Sequence, residues 1–362
     1  MTDDALRTLF HPFEAGLVDL PEPGTRALFP GARPGWRKPE GFEATITAVQ
    51  GFRPDFLGLK RQGISTVPQG EGEGYDLALV LGSKHRGQNE GWIAEAQRRV
   101  KPGGLIVVAA SKKDGGDSLR KRIAELTEVE DHAAKHHGVV FWLRNGGTQL
   151  KEAAAETVGS FQTRPGMFSH GHADPGSMFL LESLPADLKG DVADFCAGWG
   201  YLAADLIGRE RIRSVDLYEA DHASLEAART AMGAAEKPMG FFWHDLTSEP
   251  VERVYDAVVM NPPFHAGGHA AEPDLGAKLI RAAASALKGH GRLFIVANRG
   301  LPYERALTAV FAETGELARN DDYKILWASE PQTRNMARAA TQLKARGRPG
   351  APARRNGAGR RK

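Results

Sequence analysis

The chain has 362 residues, 41% of them hydrophobic and 25% charged, with one cysteine and a net charge of +2. That length suits two domains, each able to bury a core, and no apolar run approaches the roughly 20 residues needed to cross a bilayer. Cys196 alone forbids an internal disulfide or a multi-cysteine zinc site, and the acidic start Met1-Thr2-Asp3-Asp4 lacks a following apolar export core, so the expectation is a cytoplasmic protein without a metal.

In chain order, Leu28-Phe29-Pro30-Gly31-Ala32-Arg33-Pro34-Gly35 reads as a proline-rich loop with no preceding strand. The first clear strand is Tyr75-Asp76-Leu77-Ala78-Leu79-Val80, followed by a helix over 90–100, a glycine turn and the apolar run Leu105-Ile106-Val107-Val108-Ala109. His132 and His136 stand at helical i, i+4 spacing beside His137, but with no third ligand evident they read as surface imidazoles. Val139-Val140-Phe141-Trp142-Leu143 is a further strand. The second half repeats this order: Tyr255-Asp256-Ala257-Val258-Val259-Met260, a helix over 275–287, a glycine turn, Leu293-Phe294-Ile295-Val296-Ala297, and Lys324-Ile325-Leu326-Trp327-Ala328. Three matching blocks in one order argue for duplication, with two α/β units whose sheets are largely parallel and a boundary near 146–156. The domains are then expected at 1–150 and 155–332, with a tail at 333–362. That tail carries ten Lys and Arg and no acid, so the rest of the chain is net acidic. Its Gly, Pro and Ala cannot offset the entropy of ordering, yet its cations can neutralise phosphates.

Chemistry-bearing residues fall in the second copy. Val192-Ala193-Asp194-Phe195-Cys196-Ala197-Gly198-Trp199-Gly200 is a strand entering a small-residue turn, which then opens a helix over 202–207. Small residues there let backbone N–H groups approach a nucleotide at a helix N-terminus, and Asp194 can hold an amino group. The next strand, Ser214-Val215-Asp216-Leu217-Tyr218, ends at Glu219, suited to accepting ribose hydroxyls. Phe241-Phe242-Trp243-His244 leads to Asp245, suited to an adenine amino group, and the fourth strand ends in Asn261. Ligands of open α/β sheets sit at such strand ends. In Asn261-Pro262-Pro263-Phe264 the two prolines force the chain out of the sheet, the Asn261 oxygen and Pro262 carbonyl can accept both hydrogens of an –NH2 group, and Phe264 offers a stacking face. The first copy has Leu81-Gly82-Ser83-Lys84 at that place and reads as catalytically empty.

Taken together, the glycine turn, Asn261-Pro262-Pro263-Phe264-His265, Phe168-Ser169 with Asp174-Pro175-Gly176-Ser177, and Val296-Ala297-Asn298 resemble the class I S-adenosylmethionine-dependent methyltransferases. Within them the chain is similar to the bacterial ribosomal RNA guanine-N2 methyltransferases of the RsmC/RlmG type, over about residues 160–330. The resemblance implies two tandem Rossmann-like domains, the first degenerate, and S-adenosylmethionine held by Ser169, Gly176, Ser177, Asp194, Ala197, Gly198, Gly200, Glu219, Asp245 and Asn261. It implies a catalytic role for Asn261, Pro262 and Phe264, with ribosomal RNA of the small subunit contacted by Phe264 and His265. Arg334 and Arg338 of the basic tail are added as RNA contacts, although such a tail is not part of the family pattern. A departure is Cys196-Ala197 where the family more often has Gly-Cys; both residues are small, so the turn is expected to survive. Adenine N6, a protein amide, or a non-catalytic role in ribosome assembly are the alternatives, since Asn-Pro-Pro-aromatic also serves other conjugated –NH2 targets.

Overall fold

The computed structural model describes residues 4–146, 148–263 and 273–332. Its first unit runs α1 (Asp4–Glu14), β1 (Arg26–Pro30), β2 (Thr45–Val49), α2 (Arg53–Arg61), β3 (Thr66–Val67), β4 (Tyr75–Leu81), α3 (Arg86–Arg99), β5 (Val100–Ser111), α4 (Gly116–Leu126), β6 (Asp131–Lys135) and β7 (Gly138–Arg144). The strands form one sheet in the order β3-β2-β1-β4-β5-β7-β6. β4 is buried at every position but one, as a central parallel strand covered on both faces must be. Only β7 is reversed, pairing antiparallel with β5 on one side and with β6 on the other, where the two close one edge as a hairpin.

One expectation fails here. Leu28, Phe29 and Pro30 belong to β1, which pairs in parallel with both β2 and β4 and so sits inside the sheet; its proline falls at the strand end, where the break costs little. His132 lies on β6, and His136 and His137 form the hairpin turn with φ of 46° and 57°, so no helix brings His132 and His136 onto one face.

A short hairpin follows, β8 (Glu156–Val158) with β9 (Phe161–Thr163), and Phe161 packs its ring 5.0 Å from that of Trp199 in the second unit. The second unit runs α5 (Pro175–Ser183), β10 (Gly190–Phe195), α6 (Tyr201–Gly208), β11 (Ile212–Glu219), α7 (His222–Met232), β12 (Met239–Trp243), β13 (Tyr255–Met260), α8 (Pro273–Ala286), β14 (Leu287–Asn298), α9 (Tyr303–Thr308), β15 (Phe311–Arg319) and β16 (Tyr323–Pro331). Its sheet order, β12-β11-β10-β13-β14-β16-β15, is that of the first sheet strand for strand. Two apolar layers sandwich it: Leu279, Ile280 and Ala283 on one face, Leu202, Leu206, Leu225 and Ala228 on the other. The molecule is thus two tandem Rossmann-like units, as the duplicated sequence blocks imply.

Strand register fixes which residues correspond. Ala27 lies beside Ile46 and Leu77, as Val192 lies beside Val215 and Ala257. Counting along the strands from those anchors, Phe29 occupies the place of Asp194, Gln50 that of Glu219, and Leu81 that of Asn261. One helix has no counterpart: the second unit follows β10 with α6, whereas residues 31–44 of the first pass to β2 with no helix. The units meet at corresponding turns. Arg53 N–H donates to the Ala220 carbonyl at 2.8 Å and His222 N–H to the Gly51 carbonyl at 2.9 Å, an antiparallel bridge about a local two-fold between Phe52 and Asp221.

Candidate active site

The carboxyl ends of β10, β11 and β13 converge on the N-termini of α5 and α6. Between β10 and α6 the chain makes a turn in which Cys196, Gly198 and Gly200 all have positive φ, at 60°, 56° and 93°. Glycine takes that conformation without strain; cysteine does not. The turn therefore survives the Cys196-Ala197 departure, with local strain at Cys196. The φ of 93° is what requires Gly200; a Cβ there would stand 2.5 Å from Met232 Cε, the movable end of a flexible side chain, whereas a Cβ on Gly198 would meet open space.

Beneath this turn Asp194 is fully buried. Its Oδ2 accepts from Ala203 N–H at 3.1 Å, and its Oδ1 has no partner. Burial, reinforced by the nearby Glu219, pushes its carboxyl well above the usual range. Glu219 accepts from Gly198 N–H at 2.7 Å through Oε2 and from Asp221 N–H at 2.7 Å through Oε1. Those bonds favour the anion, but burial outweighs them and pushes Glu219 up to about 7.

Asn261 sits at the mouth of β13 with 8% exposure. Asp174 and Ser177, at the start of α5, fix its side chain: Asn261 Nδ2 donates to Asp174 Oδ2 at 2.8 Å and to Ser177 Oγ at 2.7 Å. Asp174 is the N-cap of α5, accepting from Ser177 N–H at 2.8 Å, with Pro175 as the first helical residue. With both amide hydrogens engaged, Asn261 Oδ1 is left buried and without a partner. An unpaired buried acceptor costs about 1–3 kcal/mol, so the two orphaned oxygens at the ends of neighbouring strands, Asp194 Oδ1 and Asn261 Oδ1, are suited to donors from a ligand.

One cleft is lined by Ser169, Asp174, Ser177, Ala197, Gly198 and Asn261, so the structure brings together residues that lie up to 92 positions apart. Phe168, 54% exposed, covers its rim, anchored where Trp199 Nε1 donates to the Phe168 carbonyl at 3.0 Å. Three of the expected site residues are engaged within the protein. Ser177 is bonded to Asn261 and orients it. Gly176 permits close packing, since a Cβ there would come within 3.1 Å of Asp174 and the Tyr323 ring. Asp245 lies beyond β12, with its carboxylate accepting from Thr247 N–H at 2.9 Å and from the hydroxyls of Thr247 and Ser248. Pro262 is buried beside Asn261, while Phe264, His265, Arg334 and Arg338 lie outside the described residues. The residue that sequence reasoning left off the site is Asp174; the N-cap signature Asp-Pro-Gly-Ser before an apolar run marks it as a helix start, but not as the anchor of an amide 87 residues away.

The site's residues suit S-adenosylmethionine: a glycine turn open to a ligand, an unpartnered buried carboxylate oxygen for an amino group, and an acid at the end of the second strand. Among the described residues no helix is long and apolar enough to cross a membrane.

Comparison with known proteins agrees with this geometry. The Methyltransferase small domain family matches residues 159–327, the span of the second unit. A ribosomal RNA small subunit methyltransferase C of Shewanella pealeana is 30% identical over 273 residues, covering 70% of this chain and 77% of that protein. Its counterpart in Psychromonas ingrahamii is 28% identical over 270 residues, covering 71% and 76%. The T. thermophilus 16S rRNA N2 methyltransferase RsmC, solved in complex with AdoMet and guanosine, shares the fold at a TM-score of 0.74 and 24% identity over 91% of this chain and 92% of that one. The chain belongs to the ribosomal RNA small subunit methyltransferase C family.

Proposed function

We propose that the second unit, residues 155–332, transfers a methyl group from S-adenosylmethionine to the exocyclic N2 of a guanine in small-subunit ribosomal RNA. The observation that carries this is the pinned Asn261 amide, whose Nδ2 is consumed by Asp174 and Ser177 while Oδ1 stays free to accept. The small-subunit ribosomal RNA named for the relatives supports the substrate class. The cofactor supplies an electrophilic methyl group on a sulfonium.

The protein's task is then to aim a weak nucleophile, because the guanine N2 lone pair is delocalised into the ring. Asn261 Oδ1 and the Pro262 carbonyl accept the two amino hydrogens, which turns the nitrogen toward the methyl group and stabilises positive charge as it develops. No strong base is required before transfer. Asp194 and Glu219 hold the amino group and ribose hydroxyls of the cofactor, Gly198 and Gly200 let the backbone approach it, and Asp245 presents its remaining acceptor site to the adenine. Phe264 stacks on the target base, which must be unpaired to reach a buried methyl donor. His265, Arg334 and Arg338 contact the RNA, the latter two as phosphate partners in the basic tail. Such a substrate places the protein with the small ribosomal subunit in the cytoplasm. Residues 1–150 serve as a non-catalytic partner.

The test is to incubate unmodified small subunits, or their free RNA, with isotopically labelled S-adenosylmethionine and digest to nucleosides. Label in N2-methylguanosine is expected; label in adenosine or in protein, or none from either substrate, would overturn the assignment.

A further inference from the structure

The non-catalytic unit reaches the cofactor side of the other unit through an ion pair. Arg53, at the first position of α2, places its guanidinium against Glu249: Nη2 donates to Oε1 at 2.6 Å and Nε to Oε2 at 2.9 Å. This fork is three-quarters shielded from solvent, unlike a surface pair whose worth is small. Glu249 passes the constraint on, since its Oε2 also accepts from Asp245 N–H at 2.9 Å and its own N–H donates to the Asp245 carbonyl at 2.8 Å. His244 Nε2 lies 3.0 Å from the Glu249 carbonyl, so both residues that follow β12 are tied to Glu249.

The same arginine also holds the end of β11. Its backbone N–H bonds the Ala220 carbonyl, and its guanidinium lies 4.7 Å from the Trp243 ring centroid. Trp243 Nε1 in turn donates to the Ala220 carbonyl at 2.8 Å and to the Gly51 carbonyl at 3.0 Å. Ala220 directly follows Glu219, so the two strand ends that carry Glu219 and Asp245 are braced from outside by residues 51–53.

We propose that Arg53 is a positioning residue for the adenosine end of the cofactor site, so that the non-catalytic unit sets S-adenosylmethionine affinity through the Arg53–Glu249 fork. This rests on the reading that Glu219 and Asp245 bind the cofactor. Arg53 touches neither cofactor nor substrate; it fixes the turn 245–249, whose acid faces the adenine.

The experiment is calorimetric titration of the full-length chain with S-adenosylmethionine, paired with steady-state kinetics and thermal melts. Arg53→Met is expected to raise the cofactor Kd and KM about tenfold, the worth of one charge-assisted bond pair, with kcat at saturating cofactor and KM for RNA unchanged. Arg53→Lys, which keeps one of the two bonds, should fall between. Combining Arg53→Met with Glu249→Gln should weaken binding no further than the worse single change, because both break one link. An Arg53→Met or Arg53→Lys protein with a lowered Tm but wild-type cofactor Kd, or fully additive single effects, would overturn the proposal. Glu219→Gln separates the two readings: if it binds cofactor normally the site assignment fails, whereas if it loses cofactor while Arg53→Met does not, only the bracing role fails.

Discussion

Gln50 and Glu219 occupy the same place in two copies of one sheet, and they show how a position can keep its turn and lose its acid without disturbing a fold. Each side chain accepts from the backbone N–H two residues on, Phe52 and Asp221 respectively, at 2.7 Å in both units. The other half of Glu219 accepts from Gly198 N–H and is a second carboxylate oxygen with a lone pair to spare. The other half of Gln50 is an amide that donates to the Ala32 carbonyl at 2.6 Å, so the position offers no second carboxylate oxygen to a ribose. The same substitution of packing for chemistry recurs at Phe29 for Asp194 and Leu81 for Asn261. At the turn, Gly31 stands where the second unit has Cys196 and is closely packed, since a Cβ on it would stand 2.7 Å from the Trp92 ring. The bond that holds the turn is common to both units; the acids and the amide of the proposed site are not.

That contrast can be broken most sharply at Asn261. Asn261→Leu, which installs the residue of the silent copy, should lower methyl transfer by roughly 10^3-fold, as loss of a pre-aimed polar group does, while S-adenosylmethionine binds within about threefold of wild type. Retained turnover would show that the amide is not the clamp.

Next in size is the effect of Glu219. Burial holds its carboxyl up to about 7, so below that pH the cofactor hydroxyls must displace a proton to meet the anion. S-adenosylmethionine affinity should then fall by about tenfold for each pH unit below 7, and Glu219→Gln should bind weakly but with no such slope. Without cofactor the sign reverses: a carboxyl raised from its ordinary 4.5 contributes stability below that pH, and the contribution is lost as pH rises through about 7. Parallel pH profiles for the two proteins would refute the assignment.

The smallest effect expected is at Cys196, whose left-handed backbone has a glycine, Gly31, as its first-unit counterpart. Cys196→Gly should raise stability by up to ~1 kcal/mol in denaturant titration with cofactor affinity unchanged. A loss of stability there would mean that the thiol's packing outweighs the strain.

Much of this was legible in the sequence because it is local or periodic. β4 and β13 declare themselves as near-continuous apolar runs, and Asn261-Pro262-Pro263 announces a chain leaving a sheet. β1 was not legible: five residues ending in proline look like a loop until β2 and β4 flank them. Nor was β6, whose residues are mostly exposed and carry no alternation. Long-range pairs were the least accessible. Asp174 with Asn261, and Arg53 with Glu249, are separated by 87 and 196 residues, and each by itself is an ordinary polar residue at a helix start or in a turn.

The central claim is that one of two equivalent sheets carries the whole cofactor site. Calorimetric titration of the full-length chain with S-adenosylmethionine tests it most directly. The account predicts one equivalent bound per chain, strongly weakened by Glu219→Gln and unmoved by Gln50→Glu; two equivalents, or binding that survives Glu219→Gln and responds to Gln50→Glu, would contradict it.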